Sequence, residues 1–243
     1  MSVQAPWRFS SWANTSEAFK MKRTPLSERT LPDYTRGDEI ANMTTHIVGG
    51  GIGVLVLVLG VITSALKGDD WGIVGASVYG FSMIALYTVS SVYHGLKPCF
   101  GKKVMQVIDH CTIYLLIAGT YTPILLVAIR PLYPKTAWLV FVAEWALAAF
   151  AATFTAIDHH KYGVISLVCY IAMGWFIVVA LKPTIEAVGW AGFWWLLAGG
   201  ISYTLGAVLY GIGKKKSIFH SVFHVFVVIG TVCQAVCILL YVL

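Results

Sequence analysis

Charge is what this sequence has least of: 12% of its 243 residues are Asp, Glu, Lys or Arg, against 58% hydrophobic. A soluble domain of this size carries about 25% charged residues. It also cannot hide so many apolar side chains in one core, because much of its surface still meets water. A bilayer removes that constraint. The five cysteines, Cys99, Cys111, Cys169, Cys233 and Cys237, form no CxxC pair and no disulfide framework. Four of them sit in apolar runs, where a cysteine behaves as a small hydrophobe. Residues 1–40 contain no apolar h-region and carry Arg8, Lys20, Lys22, Arg23, Arg29 and Arg36 among acidic and polar residues. No cleavable signal peptide is expected, and the first apolar run should stay in the mature protein. Nor do basic residues gather on one soluble face. The net charge of +6 is spread over short connectors, which argues against nucleic acid as a partner and for topology signals in a membrane.

What the sequence does have is long apolar runs. Residues 1–36, with Pro6, Pro25 and Pro32 and no helical period, read as a flexible polar cytoplasmic tail. The region 37–243 reads as one all-α domain, a polytopic bundle of seven transmembrane helices. Seven stretches approach the ~20 residues needed to cross a hydrocarbon core: 43–66, 71–93, 106–129, 136–157, 162–181, 190–212 and 217–242. Orientation follows from the lysines and arginines between them. Arg29, Arg36, Lys97, Lys102, Lys103, Lys161, Lys214, Lys215 and Lys216 share the side of the tail; Lys67, Arg130, Lys135 and Lys182 lie opposite. Nine against four predicts the N-terminus in the cytoplasm and the C-terminus outside. Trp71, Trp138, Trp190, Trp194 and Trp195 begin spans on the outer side, as an interfacial belt would. Gly49, Gly50, Gly51 and Gly53 are suited to close helix packing.

Polar residues inside a span cost a few kcal/mol even on the mildest scale, so each needs a reason. The second span ends Ser90-Ser-Val-Tyr-His94, the third begins Val107-Ile-Asp109-His110, and the seventh begins His220-Ser-Val-Phe-His224. Residues four apart share a helix face, so His220 and His224 can point at one ion and Ser90 lies one turn from His94. The loop between spans two and three is separated from span seven by four crossings, so all three groups meet at one membrane face. Three neutral imidazoles with an open fourth position are the ligand set of a catalytic Zn2+. Asp109 would then serve as hydrogen-bond acceptor or general base, and Ser90 would donate to the cluster. A lone HxxxH is a weak signal, and the glutamate of HExxH is missing; His94 and Asp109 on the same side strengthen it. Attack on an amide or ester carbonyl is the natural reaction class, and a membrane lipid the natural substrate. Asp158, His159 and His160 are the alternative ligands, although a loop is where solvated polar residues belong. His110 points about 100° away from Asp109 on a helix and is expected to face the loop. Glu144 sits mid-span and is expected to make an interior hydrogen bond; Tyr93, Tyr114 and Tyr121 are expected to pack or sit at the interface.

With these residues the chain resembles the hemolysin III family, the bacterial branch of the progestin and adipoQ receptor superfamily. Three motifs carry the likeness: Glu39-Ile-Ala-Asn42-Met-Thr-Thr45-His46, Ser90-xxx-His94 with Asp109 downstream, and His220-xxx-His224. It spans about residue 36 to 243. The resemblance implies a multi-pass protein of a bacterial cell membrane, with zinc held by His94, His220 and His224 and with Asp109 and Ser90 alongside. It also implies kinship with membrane hydrolases that include alkaline ceramidases, and places Glu39, Asn42 and His46 near the zinc as supports. Glu39 and Asn42 could instead satisfy amides at a helix start. Three functions are therefore expected to compete. One is a zinc-dependent hydrolase of a lipid amide or ester. The others are a membrane-homeostasis or receptor-like protein with structural zinc, and the haemolytic pore of the family's name.

Overall fold

Each long apolar run becomes helix in the computed structural model, which describes residues 23–212 and 216–243. Residues 1–22 of the polar tail, and Lys214 and Lys215 of the charge count, lie outside the described residues. The helices are α1 (Arg36–Lys67), α2 (Asp70–Gly95), α3 (Phe100–Pro123), α4 (Pro134–Asp158), α5 (Gly163–Gly174), α6 (Leu181–Ile212) and α7 (Ile218–Cys237). No strand occurs among the described residues. The helix ends have local causes. Thr35 and Asp38 form a capping box before α1, and Gly68 ends that helix in the left-handed conformation at φ 67°. The Cys99 sulfur accepts from the Lys102 amide at the start of α3, and Pro134 supplies a pre-set φ at the first turn of α4. Pro123 has no N–H to continue α3, and the chain widens there into a π-helical turn, Ile124–Ile129.

Among the described residues, six helical stretches are long and apolar enough to cross a bilayer. Five of them contain the expected spans one to four and seven. The expected fifth and sixth spans fall within one 49-residue stretch, Gly163–Gly211. The connector expected between them, Lys182 to Gly189, is itself helical, because it can continue the backbone ladder as far as Gly189. There φ is 68° and ψ 170°, a conformation open essentially to glycine alone. An added Cβ would meet nothing within 4 Å, so the penalty of a substitution is backbone strain alone. Gly189→Ala is expected to destabilise the protein by about 1–3 kcal/mol, read as a lower midpoint of thermal unfolding in detergent. Both ends of the stretch lie at the same end of the bundle: Gly163 follows His159 and His160, and the Tyr210 ring is 5.4 Å from that of His220.

Lipid tails are as apolar as leucine, so apolar burial alone does little to join helices in a membrane; small residues and interhelical hydrogen bonds, roughly 1 kcal/mol each, set the arrangement. Helix α1 packs along α2 through Gly49 and Gly53, where an added Cβ would lie 2.5 Å from the Tyr87 ring and 3.0 Å from Met83. Gly51 faces open space instead. The buried Tyr79, Met83 and Tyr87 put α2 at the centre of the core. Tyr87 donates to the Thr231 hydroxyl at 2.7 Å and Tyr203 lies 2.8 Å from the same oxygen, joining α2, α6 and α7. Outward, Val54, Leu55, Val58, Leu59, Ile62 and Leu66 of α1 are exposed, the lipid-facing surface the composition called for. All five expected interfacial tryptophans are exposed too. Glu144 departs from expectation. It is fully buried, and among the described residues neither carboxylate oxygen has a hydrogen-bond partner; the residues one turn away on α4, Val140, Phe141, Leu147 and Ala148, are all apolar.

Between the helices lies a cavity of about 410 Å³. Its deep part is apolar, with Leu116, Ile124, Ile177, Phe193 and Leu196 among the lining residues; its other end is polar.

Candidate metal centre

The α2–α3 loop, the start of α7 and the start of α1 converge at the polar end of that cavity. His94, in the last turn of α2, is buried, as is His224 in the second turn of α7; His220 is half-buried one turn earlier. Their metal-ligating nitrogens all lie within 4.8 Å of one another. The Nε2 atoms of His220 and His94 are 3.4 Å apart, and those of His224 and His220 are 3.0 Å apart. Two nitrogens at tetrahedral zinc distances from one ion stand roughly 3.3–3.4 Å apart. Three ring nitrogens this close together fit a cation better than they fit one another, since at most one of each facing pair can donate. The cluster can hold a metal ion, and it is the one such group of three among the described residues.

The surroundings orient these rings. Glu39 in the first turn of α1 takes the Nδ1 side of His94 at 2.6 Å, and its other oxygen accepts from Lys102 at 2.6 Å. Lys102 also donates to the Leu96 carbonyl at 2.8 Å, across the α2–α3 loop. A carboxylate on Nδ1 holds the proton there and leaves Nε2 as the lone pair, the usual support of a metal-bound histidine. His46 stacks on His224 with ring centroids 3.8 Å apart, and Tyr34 stacks on His220 at 4.9 Å. Removing such a carboxylate typically weakens metal binding 10–100-fold. Glu39→Gln is expected to weaken binding of a divalent metal ion at the cluster by about that factor, measured by competition with a chromophoric chelator.

The other expected site residues are placed as follows. Asp109 on α3 and Ser90 on α2 both line the cavity, together with His46, His220 and His224. Asn42 is buried beside this cluster in α1 and its side-chain amide has no hydrogen-bond partner; the N-terminal amides of α1 are served by Thr35 instead. Asp158 is used structurally: its carboxylate accepts from the Thr24 and Lys161 amides at 3.1 and 3.2 Å and lies 4.0 Å from Arg29. His159 meets Arg29 rather than the three-histidine group. His110 does not turn to the loop; it lines the cavity, with its ring 5.3 Å from that of His159. The reason is that α3 is flanked by the cavity on the side 100° from Asp109, not by solvent. Sequence reasoning missed Tyr34 and the Glu39–Lys102 pair. Lys102 looked like one more topology charge, and Tyr34 like part of the polar tail; only the fold carries either to the histidines.

Segment 23–35 is tied across this end of the bundle. Arg29 is buried and donates to the Thr24 and Ile157 carbonyls at 3.1 and 2.6 Å. Lys103 donates to the Ser27 carbonyl at 2.6 Å, and Pro32 lines the cavity.

An all-helical chain with six membrane-capable helices, and a histidine cluster at one end of its bundle, is a multi-pass membrane protein with a possible metal site. Comparison with known proteins narrows the class. The model of the family described as haemolysin-III related matches residues 34–235. Hemolysin-3 of Bacillus cereus is 38% identical over 207 residues, 85% of this chain and 92% of that protein. The hemolysin-3 homolog of Bacillus subtilis (strain 168) is 36% identical over 208 residues, 86% and 96% of the two chains. The human monocyte to macrophage differentiation factor is 28% identical over 229 residues, 88% of this chain and 87% of that one. The chain belongs to the hemolysin III family.

Proposed function

We propose that the protein is a zinc-dependent intramembrane hydrolase of a lipid amide or ester, working at the cytoplasmic face. In this reading the chain crosses the membrane seven times, with its N-terminus inside and its C-terminus outside. The 49 residues of Gly163–Gly211 amount to about 74 Å of helix, enough for two crossings of a ~30 Å core. That both its ends lie by the histidines favours an outward and a return span. The nine-to-four distribution of basic residues favours the histidine end as cytoplasmic.

One observation carries the chemical reading. Imidazoles from two distant parts of the chain meet at the wall of a largely apolar cavity that also exposes a carboxyl group, Asp109. His94, His220 and His224 would hold the ion through Nε2. When bound, zinc supplies Lewis acidity, polarising a carbonyl and making water more acidic. Asp109 takes a proton from water at its carboxylate and returns it to the departing amine or alcohol oxygen. Ser90, on the same wall, adds a hydroxyl to the polar surface around Asp109. Glu39 holds the His94 proton on Nδ1. The apolar lining seats an acyl chain and excludes bulk water from around the carboxyl group. A closed structural zinc site would normally have four protein ligands, and the three-histidine set favours chemistry over a purely structural role.

The test is release of fatty acid from acyl amides and esters by the purified, zinc-loaded protein. Release that stops when a chelator is added supports the proposal; a zinc-replete protein inert towards both bond types would overturn it.

A further inference from the structure

On the α3–α4–α5 side of the same cavity stands a second cluster of imidazoles, and it is built differently. His110, His159 and His160 all line the cavity, with ring centroids 5.3 Å apart for the first two and 4.3 Å for the last two. Behind His159 lies Arg29, whose Nη1 is 3.1 Å from His159 Nδ1. A guanidinium only donates, so Nδ1 must accept. Burial, with the neighbouring His110, His160 and Arg29, pushes the His159 pKa down to about 3, and the ring is neutral. Its one proton is therefore on Nε2. That N–H is buried and, among the described residues, has no hydrogen-bond partner, in a residue that lines the cavity.

An unpartnered buried N–H is a vacancy for an acceptor, because buried donors are nearly always paired. The guanidinium behind the ring polarises it and strengthens the Nε2 donor. A metal cation is disfavoured at this point, since Nδ1 is occupied, Nε2 is protonated and Arg29 is always charged. The nearby acid, Asp158, is turned away to the Thr24 and Lys161 amides. His110 gives its Nδ1 proton to the Gln106 carbonyl at 2.7 Å, which leaves Nε2 an acceptor, so the donor to an anion here is His159. His160 is exposed at the rim. The pattern suits an oxygen carrying negative charge, set beside an apolar cavity of about 410 Å³, within the range of volumes that hold small ligands.

We propose that His159, backed by Arg29 and flanked by His110 and His160, is a recognition site for the anionic head group of a single-chain lipid. Its carboxylate or phosphate oxygen accepts from His159 Nε2, and its tail occupies the apolar part of the cavity. This deepens the hydrolase reading by naming an acidic lipid, or the fatty-acid product itself, as an occupant. It is measured by equilibrium binding, so a protein that binds without turnover would overturn the hydrolase reading and leave this one standing.

The experiment uses the full chain in an uncharged detergent and three probes with the same tail: oleate, oleyl alcohol and oleoyl lysophosphatidate. Oleate or lysophosphatidate is expected to bind about tenfold more tightly than the alcohol, the scale of one charge-assisted hydrogen bond. Which of the two binds better tells carboxylate from phosphate. His159→Phe is expected to erase the preference while leaving alcohol binding unchanged, and His159→Gln, which can accept from Arg29 and still donate, to restore most of it. Equal affinity of the wild type for acid and alcohol, or a preference that survives His159→Phe, would overturn the proposal. Should the phenylalanine variant not fold, the wild-type comparison and the glutamine variant still decide it.

Discussion

Replacing His220 by alanine is expected to strip the protein of zinc. His220 is the hinge of the cluster: its Nε2 lies 3.4 Å from that of His94 and 3.0 Å from that of His224, so it faces both other ligands. Binding free energies of protein zinc sites run to roughly 10–16 kcal/mol, and one ligand of three carries on the order of a third, so affinity should fall about 10²–10⁴-fold. Elemental analysis after dialysis against a chelator should find about one zinc per wild-type chain and almost none in the variant. The fold should survive. His220 is only half-buried, its Nδ1 has no partner to lose among the described residues, and the contacts it gives up outside the cluster are ring contacts such as those with Tyr34 and Tyr210. His159→Ala is the control: it removes an imidazole from the same cavity but should leave zinc content unchanged. Wild-type zinc in the His220 variant would sink the metal assignment.

Asp109→Asn is expected to do the opposite, removing turnover while keeping the metal. Asp109 is not among the three converging nitrogen ligands, yet it lines the cavity that His220 and His224 also line. Asparagine keeps the shape and loses the ability to take up a proton. General acid–base residues of this kind contribute about 10²–10⁴ in rate. Fatty-acid release should fall by that factor, with zinc content and helical circular dichroism unchanged. A variant as active as the wild type would remove Asp109 from the mechanism. Loss of zinc along with activity would make Asp109 a ligand or a structural support rather than the proton carrier.

Much of this architecture could be read from residue order alone. Hydrophobic runs mark membrane helices because the bilayer selects on length and polarity, both of which are local quantities. The convergence of His94 and His220 followed from parity: each crossing changes sides, so an even number of spans returns the chain to the same face. The break within Gly163–Gly211 was less legible, since the polar connector around Lys182 is helical and only the backbone at Gly189 departs from helix. Three side-chain environments were misjudged or missed for one reason. Glu144 lacks the expected partner, His110 faces a cavity rather than a loop, and Tyr34 reaches His220 from the polar tail. In each case the outcome depends on what lies across from the residue, and sequence spacing reports only what lies along its own helix.

Composition and periodicity by themselves determined that this chain is helical and membrane-embedded, and which polar residues stand out in its apolar runs. Those follow from transfer free energies that each segment meets on its own. Which nitrogen of His94 is free, which carboxylate holds the other, and where the Arg29 side chain ends were decided only by tertiary structure. Ångström-scale geometry between distant segments, as in the bond from the Thr24 amide to Asp158, 134 residues further along the chain, is set by helix packing, and no local pattern encodes it.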